Sequence, residues 1–389
     1  VSVPALRFPE FEGDWEDTKA GDAFTNSRAK GEAGLPIYSV TMDSGLVRRD
    51  SLDRHMHGDA ADETNLRAQS GDIVYNMMRM WQGAAGIADE ECMVSPAYVV
   101  LSPKEKTSSE FFNYCIENAR MLYKLWAYSH GLTSDRLRLY FADFARIPVN
   151  QPSLPEQKKI AAFLGTVDDK ISALTSKRDL LKEYKCGLMQ KLFSQELRFT
   201  KPNGQSFPDW EEKRLGDVAR VFSGGTPSAS VRRYYSGNIP FIKSGEIGSE
   251  TTKQFLTQEG FDSSSAKIVE IGDLLYALYG ATTGEVKLAR VSGAINQAVL
   301  CIRTEHSKEF LLHWLGSNKD RLKAKFLQGG QGNFSADIVK KIKIVLPHPD
   351  EQQKIADALS ALDAKISAVA DQITALQDFK KGLLQQMFI

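Results

Sequence analysis

The residue types that most often carry out chemistry are sparse in this chain and poorly spaced for it. Six histidines are scattered over 389 residues, and His55-x-His57 is the one close pair. No carboxylate or cysteine stands beside that pair at a ligand spacing, so no metal is expected. Pro208-Asp209, followed by Glu211 and Lys213, imitates a nuclease signature. The acids of such a site come from separate strands around a metal, whereas these sit too close in sequence. Asn150-Gln151-Pro152 imitates an amino-methyltransferase loop, without the second proline or the aromatic that would stack on a flipped base. A Walker loop, GxGxxG and GxSxG are all missing from the sequence. No catalytic residue is assigned, and a chain of this length has ample room for one.

Polar and aromatic loop segments offer a different chemistry. The segment 199–347 carries Ser223-Gly-Gly-Thr-Pro227, Arg232-Arg233-Tyr234-Tyr235 and Ile239-Pro-Phe-Ile-Lys243-Ser-Gly-Glu246, then Tyr279-Gly-Ala-Thr-Thr-Gly284 and Asn296-Gln297. The comparable places in 1–153 hold Arg48-Arg49, Arg54, Tyr75-Asn76 and Arg79-Met80-Trp81-Gln82. Arginine reads guanine, and Asn or Gln reads adenine, through paired hydrogen bonds worth about 1–3 kcal/mol of discrimination. The candidate DNA contacts are therefore Arg48, Arg49, Arg54, Asn76, Arg79, Trp81, Gln82, Thr226, Arg232, Arg233, Tyr234, Lys243, Tyr279, Thr282, Asn296 and Gln297. A plainer role stands beside this one: Gly-Gly-Thr-Pro makes a tight turn and the amides brace loops.

What must position these loops is a duplication. Residues 156–193 align without a gap on 351–388, an offset of 195 that gives 17 identities over 38 positions. The same offset pairs Trp15-Glu16 with Trp210-Glu211 and Gly21-Asp22 with Gly216-Asp217, and a small shift pairs Gly71-Asp-Ile-Val-Tyr75 with Gly272-Asp-Leu-Leu-Tyr276. The boundaries are a body at 1–153, a preserved segment at 154–198, a second body at 199–347 and a second preserved segment at 348–389. Each body mixes short β-rich runs with late helical stretches at Ser109 to Trp126 and Lys308 to Phe326, so the fold class is α+β.

Each preserved segment reads as one long helix. Ile160, Leu164, Val167, Ile171, Leu174, Leu181, Leu188 and Leu192 recur at heptad spacing, with Arg178 and Lys185 interrupting. The second copy has Ile355, Leu359, Leu362, Ile366, Val369, Ile373, Leu376, Leu383 and Met387, with Lys380 interrupting. A 3.5-residue repeat of this length is a coiled-coil seam. Pro155 and Pro349 are expected just before the helices, and Glu156 and Glu351 in the first turns, where the helix dipole favours negative charge. Each helix could pack on its own body alone; the heptads favour the two packing on each other. A pseudo-two-fold relation makes them antiparallel, with a body at each end. At 1.5 Å per residue, 38 residues span roughly 57 Å, the length of a spacer.

Charge and composition set the outer bounds. The chain has 49 basic and 49 acidic residues, 42% hydrophobic and 25% charged residues, and no stretch apolar enough for a membrane span or a secretory signal. Cys92, Cys115, Cys186 and Cys301 form no CxxC pair, which suits a reducing cytoplasm and gives neither a disulfide framework nor a zinc knuckle. Divided along the chain, the net charge is −6, +3, +5 and −2 over the four segments. Neither body is basic enough to grip phosphates without help, so another subunit is expected to supply part of that grip.

In this order, the motifs resemble the specificity subunit of Type I restriction–modification enzymes over nearly the whole chain. The resemblance rests on the repeated body plus helix and on the helix entries Leu154-Pro-Glu-Gln-Lys-Lys-Ile160 and Glu351-Gln-Gln-Lys-Ile355. In the second body Gly-Gly-Thr-Pro, Ile-Pro-Phe-Ile and Gly-Ala-Ile-Asn-Gln297 carry it; in the first, Gly71-Asp-Ile-Val-Tyr-Asn76 and Ser95-Pro-Ala-Tyr98. Ala20 departs from the pattern, standing where the second body has Leu215. The resemblance implies two target-recognition domains that each read half of a split site in double-stranded DNA. It implies helices that set the gap and dock two methyltransferase (modification) subunits carrying S-adenosylmethionine. Adenine is methylated in each half-site, and translocating restriction subunits join for cleavage; the chain itself binds no cofactor and no membrane. The alternative, favoured by neutral charge, is a coiled-coil scaffold joining two protein-binding bodies.

Overall fold

The computed structural model describes residues 3–52, 64–133, 136–326 and 333–389. Two compact units divide the chain, one formed by Val1–Ser176 with Ala370–Ile389 and the other by Lys177–Val369. Two helices, Leu154–Phe193 and Pro349–Met387, each contribute to both units. Among the described residues no helix is long and apolar enough to cross a membrane.

In the first unit, Glu16–Lys19 pairs antiparallel with Pro148–Gln151 beside the entry to the first long helix. A four-stranded antiparallel sheet runs in the order Phe24–Ser27, Tyr98–Pro103, Ile73–Asn76, Ala85–Ile87. A second sheet runs in the order Leu46–Arg48, Ile37–Val40, Cys92–Val94, Leu66–Ala68, its central pair parallel. The other unit repeats this plan strand for strand. Glu211–Arg214 pairs with Lys343–Leu346, and one sheet orders Ala219–Ser223, Val299–Thr304, Leu274–Ala277, Val286–Leu288. Its second sheet orders Phe255–Leu256, Ile239–Ile242, Gly293–Ile295, Lys267–Val269, again with a parallel central pair. A shared crossover of this kind is topological evidence of duplication, independent of residue identity.

The late helical stretches are each broken in two, at Asn118 and at Asn318. Asn118 adopts an extended backbone, accepts the Arg120 N–H on its side-chain oxygen and donates its amide to the Leu384 carbonyl. A side chain that serves as a cap inside an apolar stretch competes with the helix there, so one reading-frame of hydrophobics becomes two short helices. The prolines also differ from expectation: Pro155 and Pro349 lie within the first helical turns rather than before them, where no N–H partner is needed.

Both helices fill both cores, in opposite directions. In the first unit Ile160, Leu164 and Val167, from the start of one helix, share a core with Leu383, Leu384, Met387 and Phe388 from the end of the other. In the second unit Leu192 and Leu188, from the end of the first helix, share a core with Ile355 and Leu359 from the start of the second. The pairing is antiparallel, and each helix packs on a body as well as on its partner. Of the remaining seam positions, Leu174, Leu362, Val369 and Ile373 are buried. Ile171, Leu181, Ile366 and Leu376 are half-buried. The interrupting lysines are part of the pairing: Lys185 Nζ meets Asp363 Oδ1 at 2.6 Å, and Lys380 Nζ meets Asp168 Oδ1 at 2.9 Å. These two pairs are the same pair, 195 residues on, with the helices exchanged.

Candidate nucleic-acid interface

The loops are held by bodies that are themselves clamped to the helix entries. Glu156, 2% exposed at its side chain, accepts hydrogen bonds from Arg7 Nε (2.7 Å), Arg7 Nη2 (2.8 Å) and Trp15 Nε1 (3.2 Å). Glu351, fully buried, accepts from Arg198 Nε (3.1 Å), Arg198 Nη2 (2.8 Å) and Trp210 Nε1 (3.1 Å). The next residue of each entry ties down the body's first late helix. Gln157 Oε1 accepts the Ser108 N–H and its amide donates to the Pro152 carbonyl; Gln352 does the same with Ser307 and Pro347. The Glu-Gln pair of each entry thus fixes where a body stands on its helix. Helix-dipole reasoning placed Glu156 and Glu351 in the first turn without anticipating their arginine and tryptophan partners, because those lie 141–153 residues away.

The Gly-Asp turns leading into the central strands differ in electrostatics. Asp72 and Asp273 each accept a backbone N–H three residues back, at 2.9 Å. Arg303 Nη2 reaches Asp273 Oδ2 at 2.6 Å. Burial opposes the Asp273 charge, but this guanidinium and the backbone N–H outweigh it and hold the carboxyl below its usual range. Among the described residues no arginine meets Asp72, and burial pushes its carboxyl above the usual range.

In the second unit, several sequence candidates are drawn together. Thr226 Oγ1 donates to Gln297 Oε1, Thr282 Oγ1 donates to the Ser244 carbonyl at 3.1 Å, and the Asn296 N–H reaches the Ile242 carbonyl. Gly224 is pressed so closely against the Ile295 carbonyl that any Cβ there would collide with it. The Gly-Gly-Thr-Pro segment, which forms no turn, and the turn at Gln297 are therefore one packed feature. Asn296 is 9% exposed and gives its side-chain oxygen to the Ala298 N–H, which makes it a loop brace. Gln297 is exposed and keeps its amide donor available. Arg233 forms a fork with Glu259 (2.9 and 3.2 Å) and lies over the Tyr234 ring at 5.3 Å. Lys243 lies over the Phe241 ring at 5.9 Å, Arg232 is exposed, and Tyr279 is half-buried.

In the first unit, Arg48 faces Asp50 and Glu90 at 3.5 and 3.7 Å, and Arg49 Nε reaches Ser39 Oγ. Arg54, like the His55-x-His57 pair, lies outside the described residues. Asn76, Arg79, Trp81 and Gln82 come together at the exit of the central strand. Asn76 Oδ1 accepts the Met78 N–H at 3.0 Å, Trp81 Nε1 donates to the Met78 carbonyl at 3.0 Å, and Arg79 Nη1 donates to Gln82 Oε1 at 3.3 Å. All four line an open concavity of ≈ 1120 Å³, whose remaining lining comes from Met78 and from residues within 130–133 and 136–140. That segment was not singled out in the sequence. Its one visible signal was Arg136-Leu-Arg138 beside Tyr140.

The loops that follow the equivalent strands Ile73–Asn76 and Leu274–Ala277 thus carry different polar side chains, Arg79, Trp81 and Gln82 in the first unit and Tyr279 and Thr282 in the second. No three His, Cys, Asp or Glu side chains among the described residues come close enough to hold a metal ion. A model of the family described as Type I restriction modification DNA specificity domain matches residues 14–183 and 208–377. The chain is 24% identical over 411 residues to the MjaVIII specificity subunit of Methanocaldococcus jannaschii, covering 97% of this chain and 92% of that one. It is 23% identical to the EcoR124I/EcoR124II specificity subunit of Escherichia coli, covering 69% and 70%. Among solved structures, the Type I restriction–modification S subunit from M. genitalium superposes with a TM-score of 0.64 at 15% identity, covering 100% of this chain and 99% of that one. A chain from a study of type I R-M complex assembly and conformational transition gives 0.60 at 17%, covering 97% and 98%.

Proposed function

This chain belongs to the Type I restriction modification DNA specificity family, and from that premise we propose how it works. It is the sequence-reading subunit of a Type I complex: each body, 1–153 and 199–347, recognises one half of a bipartite site in double-stranded DNA. The paired helices fix the non-specific gap and seat two modification subunits, which bind S-adenosylmethionine and methylate an adenine in each half-site. Restriction subunits join for cleavage. The chain contributes no catalytic group of its own, and the scaffold alternative is not favoured by its family.

One observation carries this reading. Two bodies of identical strand order, clamped to their helices by the same side-chain types, carry different polar residues after the equivalent strands Ile73–Asn76 and Leu274–Ala277: Arg79, Trp81 and Gln82 in one, Tyr279 and Thr282 in the other. That is the pattern of a common reader with separate targets. Near-neutral charge fits a reader that shares its phosphate grip with partners.

The test is to co-express the chain with its modification subunit and map adenine methylation. One bipartite motif is expected. Replacing residues 199–347 by another body of this family should change one half of the motif and leave the other half and the gap unchanged. Unchanged methylation after that swap would sink the proposal. Matched insertions near Leu174 and Val369 should lengthen the gap while both half-sites persist.

A further inference from the structure

We propose that Arg136 and Arg138 read bases of the half-site recognised by the first body, from the side of the concavity that faces Arg79, Trp81 and Gln82. The inference deepens the function proposed above and rests on it.

Backbone geometry puts these two side chains where reading requires them. His130 and Arg138 exchange both backbone hydrogen bonds (2.9 and 2.8 Å), holding these two residues side by side. Gly131 lies against the Arg136 carbonyl so closely that any Cβ would collide, which keeps the loop tight. The Leu139 N–H donates to the Met77 carbonyl at 2.9 Å, stitching the loop to the strand exit that carries Asn76 and Arg79. Leu139 is 0% exposed and belongs to the core. In extended backbone successive side chains point to opposite faces, so burial of Leu139 turns Arg138 and Tyr140 outward. Both are exposed, as is Arg136.

Charge points to the occupant. The first body carries a net −6, and its other arginines are largely engaged: Arg48 with Asp50 and Glu90, Arg67 with Glu32 and Glu91, Arg7 with Glu156. Around this concavity the described lining holds Arg79, Arg136 and Arg138 and no carboxylate. His130 alone there meets one, Asp143, at 3.4 Å. Arg136 and Arg138 have no side-chain partner among the described residues, so their guanidinium forks are available. An acidic body that keeps three arginines together in a concave surface, beside Gln82 and the flat rings of Trp81 and Tyr140, suits the edges of DNA bases better than an apolar protein partner. The duplex supplies the negative charge and paired acceptors that a guanidinium fork engages at guanine.

The test uses the chain assembled with its modification subunits and the duplex defined by its methylated motif. Competition with duplexes scrambled in one half-site or the other measures each half's discrimination separately. For Arg136→Ala/Arg138→Ala, affinity for the intact site should fall roughly tenfold or more. Discrimination should be lost at the first body's half-site and retained at the other. Arg136→Lys/Arg138→Lys keeps the charge and loses the fork, so discrimination should stay lost. Full discrimination in the lysine variant overturns base reading in favour of phosphate contact. Unchanged affinity and discrimination in the alanine variant overturns the site altogether. Impaired assembly with normal DNA affinity per assembled complex makes it a protein-docking face instead. If the wild-type complex shows no sequence preference, it is the function proposed above that fails. Both side chains are exposed and have no partner among the described residues, so the variants should melt like the parent.

Discussion

At the entry to the first long helix Arg7 and Trp15 clasp Glu156; at the entry to the second Arg198 and Trp210 clasp Glu351, through the same three hydrogen bonds. At the strand exits the two units share almost no side chains. The first gathers arginines and aromatics around an open concavity. The equivalent loop of the second holds Tyr279 and Thr282, with Thr282 Oγ1 donating to the Ser244 carbonyl, while Thr226 pairs with Gln297 and Arg233 with Glu259 on its other loops. Duplication has kept what holds a body to its helix and released the loop residues at the strand exits. Between these extremes lie positions where the frame itself has drifted, Asp72 against Asp273 and Tyr114 against His313. They show how far a shared scaffold tolerates different electrostatics.

The largest effect expected from breaking this comparison is at the clasp. Glu156→Ala leaves a partly buried guanidinium and a buried indole N–H without their acceptor, at a cost of about 3 kcal/mol. Glu351→Ala should cost the same within experimental error. Urea unfolding followed by amide exchange would assign each loss to its own unit, and a clearly unequal pair of losses would mean the clasps are equivalent only in appearance.

A smaller effect separates the Gly-Asp turns. Asp273→Asn should cost about 2 kcal/mol, since it removes the charge that Arg303 engages while keeping a backbone acceptor. Asp72→Asn should cost little or even stabilise, because its charge is opposed by burial and no cation among the described residues offsets it. The signs differ accordingly. A carboxyl held low, as at Asp273, adds stability above the ordinary carboxylate pKa and loses it as pH falls. A carboxyl pushed up, as at Asp72, removes stability once pH rises past that same range. Paired thermal melts of the two variants between pH 3 and 7 would expose the opposition.

The smallest effect concerns acid sensitivity. Tyr114 donates to Asp168 at 2.7 Å in the first unit, whereas His313 faces Asp363 at 3.9 Å in the second. Burial, with Lys185 nearby, pushes the His313 imidazole down to about 4. An unfolded histidine takes up its proton near 6.5, so the second unit loses stability as pH falls from there toward 4. His313→Tyr should flatten that loss by installing the first unit's arrangement. Melting temperatures at pH 7 and pH 5 decide it: an unaltered difference would show that His313 is not the acid-sensitive group.

Much of this architecture was legible before any coordinates, because heptad spacing and a fixed offset are local and repetitive signals. Ile160 to Leu192 and Ile355 to Met387 announce both the helices and their antiparallel pairing. Lys185 and Lys380 looked like flaws in the seam, since their carboxylate partners lie on the other helix. The breaks at Asn118 and Asn318 were hidden by hydrophobic spacing that continues across them. Loop candidates fared unevenly for a related reason. Residue type suggested Asn296 as a reader, yet its side-chain oxygen is spent on the Ala298 N–H. Arg136 and Arg138 drew no notice, because what turns them outward is the burial of one leucine between Arg138 and Tyr140, too short an alternation to register as a strand.

The first unit's core closes on Leu383, Leu384, Met387 and Phe388, with the Phe388 ring stacked 5.1 Å from that of Phe111. On the ribosome this sets an order of events. At about 5–20 residues per second, those residues follow residue 176 by some 10–40 s. Throughout that interval the first body is complete in sequence but lacks the piece that finishes its interior, while the second body is being made. A message cut short near residue 370 would therefore yield, instead of a chain with one sound half, one whose earliest-made half is left open.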